Sequence, residues 1–66
     1  MRKPLVVGWR PVLNSSSYWR PVNGRKGVTV FEIEGGWWKW VYDGTFSDPF
    51  ESEDDAMEAA EEELEL

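Results

Sequence analysis

Thirteen carboxylates, and neither a histidine nor a cysteine, define what the side chains of this sequence can do. Glu51, Asp55, Glu58, Glu62 and Glu65 recur at intervals of three or four, with Asp54 and Glu61 beside them. On a helix surface such neighbours stand about 5–6 Å apart, comparable to the spacing of phosphates along a nucleic-acid strand. Glu32, Glu34, Asp43 and Asp48 add to the acidic set upstream. Asp54 and Asp55 would suit the positive end of a helix dipole, but Glu61, Glu62, Glu63 and Glu65 crowd its negative end. Like charges four residues apart cost a few tenths of a kcal/mol each. Two explanations stand: the conflict is kept for binding a partner, or this is a solvated, fraying tail that aids solubility.

The bases are segregated from the acids. Arg2, Lys3, Arg10, Arg20, Arg25 and Lys26 fall in the first 26 residues, which hold no acid; Lys39 is the single base from Glu32 onward. The two parts carry +6 and −12, so the net −6 conceals a bipolar chain. Such asymmetry points to partners chosen by electrostatics. Exposed Trp beside Arg10, Arg20, Arg25 and Lys26 would suit base stacking and phosphate contact; the same residue types also anchor protein interfaces.

Catalysis has little to work with. Without His or Cys the usual general base, the thiolate nucleophile and the commonest metal ligands are missing. No nucleophile elbow or phosphate-binding glycine motif occurs, and the acids from Asp48 to Asp55 lack the EF-hand spacing. The sequence therefore predicts a protein that is not an enzyme, with no cofactor and no metal. Met1-Arg2-Lys3 is followed by only Leu5-Val6-Val7 as an apolar run, too short for a secretory core or a span, which predicts a soluble, unprocessed, cytoplasmic protein.

Positioning these groups falls to a small fold. Residues 1–66 are expected to form one domain: basic strands and loops over 1–27, a central β-hairpin over 28–42, and an acidic helix over 52–64. A chain this short buries only about 60 % of its unfolded surface, and five Trp, three Phe and two Tyr offer the compensation. Val28 to Glu34 alternates and is rich in β-branched residues, and Trp37 to Tyr42 answers it across Gly35-Gly36. A two-residue glycine loop would pair Glu34 with Trp37, Ile33 with Trp38, Glu32 with Lys39 and Phe31 with Trp40. Thr29, Phe31, Ile33, Trp38, Trp40 and Tyr42 would then share the core face, and Trp37 would project from the other.

Ser52 is a good N-cap, with Asp55 three residues on, and Met57, Ala60 and Leu64 form a narrow apolar stripe flanked by Ala56 and Ala59. Phe50 should pin the start of the helix to the sheet. Upstream, Leu5-Val6-Val7 and Tyr18-Trp19-Arg20 read as short strands and Asn14 to Ser17 as a loop. Trp9-Arg10-Pro11-Val12 recurs as Trp19-Arg20-Pro21-Val22. Two copies ten residues apart cannot make a solenoid, so the pair reads as two similar strand exits, Pro ending each ladder and Trp packing inward. The expected class is α+β, an antiparallel sheet of three or four strands with one C-terminal helix on one face.

The arrangement Glu34-Gly35-Gly36-Trp37, then Trp40, then Phe50-Glu51-Ser52 leading into Ala56-Met57-Glu58-Ala59-Ala60-Glu61 resembles short proteins encoded by bacteriophages and prophages. The likeness covers about residues 28–66 and leaves the first 27 without a counterpart. It implies a curved antiparallel sheet followed by one helix rich in alanine and glutamate. Among strongly acidic members of that group anti-CRISPR proteins are prominent, and several present carboxylates in place of DNA phosphates. The resemblance thus implies a phage-encoded inhibitor acting in the bacterial cytoplasm. Its DNA-mimicking acids would be Glu32, Glu34, Asp43, Asp48, Glu51, Asp54, Asp55, Glu58, Glu61, Glu62 and Glu65. They would fill the basic groove of a host nucleic-acid-handling protein, such as a subunit of a CRISPR surveillance complex. The alternative is a small nucleic-acid-binding accessory domain that uses the basic half and exposed Trp; a third possibility is head-to-tail self-assembly.

Overall fold

Each strand of the sheet lies next to its neighbour in sequence, as short connections dictate. The computed structural model describes residues 8–24 and 26–66; the expected strand at Leu5-Val6-Val7 lies outside them. Among the described residues five antiparallel strands run in the order β1 (Arg10–Pro11), β2 (Tyr18–Asn23), β3 (Lys26–Ile33), β4 (Trp37–Tyr42) and β5 (Thr45–Phe46). One helix, α1 (Glu53–Leu64), crosses one face. This is the expected α+β class, with two-residue strands added at both edges.

The β3–β4 hairpin is present, but its register differs by one residue from the expected one. Ile33 faces Trp37, Glu32 faces Trp38, Phe31 faces Lys39 and Val30 faces Trp40. The turn holds three residues, Glu34–Gly36, with Gly35 at φ 84° and Gly36 at φ 80°. Both glycines take up the left-handed backbone, so Glu34 leaves the ladder and joins the loop. Because side chains alternate, a shift of one residue turns a whole strand over. Val28 and Val30, not Thr29, Phe31 and Ile33, are therefore buried under the helix, while Trp38, Trp40 and Tyr42 on β4 face it as expected. The anticipated Glu32–Lys39 pair does not form.

The core joins Trp9, Tyr18, Val28, Val30 and Trp40 from the sheet side to Ala56, Met57 and Ala60 from α1, with Val22, Trp38, Tyr42, Phe50 and Leu64 packed around them. Alanines on the helix let it approach large rings on the sheet, an arrangement of large against small that fills space. Phe50 does secure the start of the helix: it exchanges two backbone hydrogen bonds with Trp38, at 2.8 and 2.7 Å. Ser47 similarly accepts from the Trp40 N–H through Oγ and donates its own N–H to the Trp40 carbonyl, both at 2.9 Å. Residues 45–50 thereby close the second edge of β4, which would otherwise present unpaired backbone groups.

Ser52 caps α1, its Oγ accepting the Asp55 N–H at 3.1 Å. At the other end Glu65 turns left-handed (φ 57°), and the Leu66 N–H reaches the Glu61 carbonyl at 2.8 Å. The six-to-one bond is that of a Schellman closure, at a position where glycine is usual. The acidic end of the chain is thus a closed helix.

Candidate functional site: the acidic helix and the uncovered sheet face

The structure divides the helix carboxylates into two sets. Glu61 faces inward: its Oε2 accepts the Trp9 indole N–H at 3.1 Å and the Arg20 guanidinium at 2.6 Å. Asp54 is buried at 8 % exposure. These two acids serve the fold. Asp55, Glu58, Glu62 and Glu65, together with Glu51 ahead of the helix, are exposed. Among the described residues no basic side chain pairs with any of these five. From Asp55 to Glu65 they extend about 15 Å along the helix, at 1.5 Å per residue.

The remaining predicted acids scatter. Asp43, in the β4–β5 turn, holds Lys26 at 2.9 Å. That hydrogen bond, and then the Asp43 charge, raise Lys26 above the ordinary lysine range. Glu32 alternates with Val28 and Val30 and so lies on the helix side of the sheet, exposed, while Glu34 is exposed in the hairpin turn. Asp48 is exposed beside a cavity of about 290 Å³ between residues 45–50 and α1, lined by Trp40, Phe46, Phe50 and Glu63 among others. Among the described residues the Trp40 indole N–H, buried in this region, has no hydrogen-bond partner. Among the described residues no three carboxylates converge in a metal-holding arrangement. The acids form a surface, not a chelating pocket.

The bases are reassigned by the sheet. Arg20 points under the sheet to Glu61, its guanidinium packed below Gly8. Lys26 is committed to Asp43, and Arg25 lies outside the described residues. Arg10 and Lys39 project from the face opposite the helix. Trp19 was expected to pack inward and does not: it is 39 % exposed on that same outer face, and Pro21 continues the β2 ladder opposite Gly27 instead of ending it. Pro21 is tolerated because β1 pairs only with Tyr18 and Trp19, leaving β2 a neighbour on one side there. Trp9 does pack inward.

Phe46, for which the sequence carries no expectation, is 61 % exposed on the outer face, and Phe31, expected in the core, lies there too, its ring meeting Phe46 edge-on at 6.2 Å. The signal for Phe31 is the loop length, since three residues between Ile33 and Trp37 place it outward; Phe46 follows from its pairing with Val41. No helix among the described residues is long and apolar enough to cross a membrane. Comparison with known proteins finds no matching family model, no matching curated protein and no matching solved structure.

Proposed function

We propose that this protein is a non-enzymatic binding protein that offers its acidic helix to the basic, nucleic-acid-binding groove of a partner and competes with the nucleic acid for it. The observation that carries this is the row Asp55, Glu58, Glu62 and Glu65: exposed, without a basic partner among the described residues, and held on a closed helix. A rigid row of anions costs less conformational entropy to dock than a mobile tail. Glu62 and Glu65 also stand where the helix dipole disfavours them, so a stability-driven sequence would place lysine there. The resemblance to acidic phage proteins makes a phage-encoded inhibitor of a CRISPR surveillance complex the specific form of the proposal.

The test is competition on a purified surveillance complex carrying a labelled target duplex. The protein should displace the duplex at low salt and lose potency as salt rises, because exposed charge pairs are screened. A variant combining Asp55→Asn, Glu58→Gln and Glu62→Gln should lose at least about tenfold in potency, equivalent to 1.4 kcal/mol. Equal potency of variant and parent would refute mimicry by the helix. Failure of the parent on complexes of every type tried would remove the CRISPR partner.

A further inference from the structure

A sheet has two faces, and α1 covers one. On the other, the register places Arg10, Trp19, Thr29, Val41 and Phe46 in one row across all five strands. The next rows hold Phe31 beside Lys39 and Ile33 beside Trp37. Trp37 is 43 % exposed, comparable to Trp19. Every charged side chain in these rows is a base, whereas the helix on the far side is acidic. Glu34, in the turn past Ile33 and Trp37, bounds the face at that end.

Three aromatic positions lie on a diagonal of the sheet. Trp19 is opposite Thr29, so Phe31 is its diagonal neighbour; Phe31 is opposite Lys39, so Trp37 is the next. Diagonal neighbours in an antiparallel sheet stand about 7–8 Å apart. The rings themselves stand apart: Trp19 leans over Gly27, on the side of Thr29 away from Phe31, Phe31 meets Phe46, and Trp37 lies against Gly35, so each offers its own face to an unstacked base and not to a double helix. Trp19 is held ready: a Cβ on Gly27 would fall inside its indole, so the ring lies across the glycine instead of standing off the sheet.

We propose that this face, which no element among the described residues covers, binds single-stranded nucleic acid, bases stacking on Trp19, Phe31 and Trp37 while Arg10 and Lys39 meet the phosphates. Charge decides among occupants. A second copy docked face to face would add two more bases to rows that hold no acid, which disfavours symmetric pairing. An acidic peptide would satisfy the bases but not the rings. A single strand satisfies both, in the manner of other aromatic sheet platforms. The site is separate from the acidic helix and does not depend on the function proposed for it.

The experiment is fluorescence anisotropy of a labelled oligothymidylate of about 20 nucleotides, longer than the roughly 4–16 nucleotides usual for such surfaces, at low salt, with tryptophan quenching in parallel. Binding is expected, with a shallow salt slope near −1.4 for two phosphate contacts to a single strand. Trp37→Ala should weaken it about tenfold, as loss of one stacked base does. Lys39→Glu should weaken it and leave the sheet packing on the helix side untouched. Glu58→Gln with Glu62→Gln should not weaken it, which separates this face from the helix. Circular dichroism confirms that each variant is folded. Absence of oligothymidylate binding, equal affinity for duplex, or full affinity in a folded Trp37→Ala or Lys39→Glu variant overturns the proposal. So does equal competition by polyglutamate, or a dimer seen by light scattering that Trp37→Ala splits and oligothymidylate leaves unaffected.

Discussion

The chain writes Trp-Arg-Pro-Val twice, and the sheet uses the two copies in opposite ways. Trp9 is buried at 5 % exposure with its indole N–H on Glu61, while Arg10 beside it points away from the helix. In the second copy Trp19 points away and Arg20 points in, to the same Glu61 oxygen. Arg10 and Trp19 are direct cross-strand partners, so the repeat has folded back on itself out of phase. Identical residues therefore divide into a structural Trp and Arg beneath the sheet and an outward-facing Trp and Arg above it. Composition says that Trp and Arg are present; pairing phase says which of them can meet a partner.

That division can be broken most severely at Trp9. Replacing a buried Trp by Ala costs about 3–5 kcal/mol, while a domain of this size has only about 3–10 kcal/mol in total at 0.05–0.15 kcal/mol per residue. Trp9→Ala should leave a largely unfolded population in urea titrations followed by circular dichroism. Trp19→Ala, with the ring spread on the sheet surface, should cost about 1 kcal/mol. Comparable losses at the two positions would mean that the outer indole is as structural as the inner one.

The arginines give the next largest contrast. Arg20→Ala removes one of two donors from a half-buried Glu61, for a loss of about 1–3 kcal/mol; Arg10→Ala should fall within about 0.5 kcal/mol of the parent. A double-mutant cycle of Arg20→Ala with Glu61→Gln should return a coupling of about 0.5–3 kcal/mol. Both side chains are about a quarter exposed (25 % and 24 %), so salt should reduce that coupling without abolishing it. A coupling near zero would show Glu61 to be held by Trp9 alone.

The same contrast explains what could be seen in advance. Ser52, Phe50 and the Met57–Ala60–Leu64 stripe act locally or by periodicity, and the helix they predict is the one that forms. Trp38, Trp40 and Tyr42 face the core because β4 follows the turn and its inward set was fixed by its own aromatic alternation. On β3 the alternation Val28-Thr29-Val30-Phe31 is apolar on both sides, so either face passes as core. Only the turn decides, and one residue of turn length exchanged Phe31 and Val30. The Trp9–Glu61–Arg20 cluster links positions up to 52 residues apart, and no local pattern announces such a contact. The candidate acids were legible as a helical row, but which of them face inward depended on where the sheet lay.

The finest contrast lies within the helix's own end. Glu65 is a non-glycine residue at φ 57°, a backbone state that costs an L-residue roughly 1–2 kcal/mol, and its negative charge sits at the negative end of the dipole. Gly at this position would remove both penalties, offset in part by the greater entropy glycine has when unfolded. Glu65→Gly should therefore raise stability by about 1 kcal/mol in urea or thermal unfolding. On the acidic-groove proposal the same substitution should lower competition with the target duplex, because the terminal anion of the row is lost. A stability gain with no loss of competition would leave Asp55, Glu58 and Glu62 as the anions that matter. A gain in stability paired with a loss in competition would show that the strained glutamate is kept for its charge, since nothing in the fold favours it.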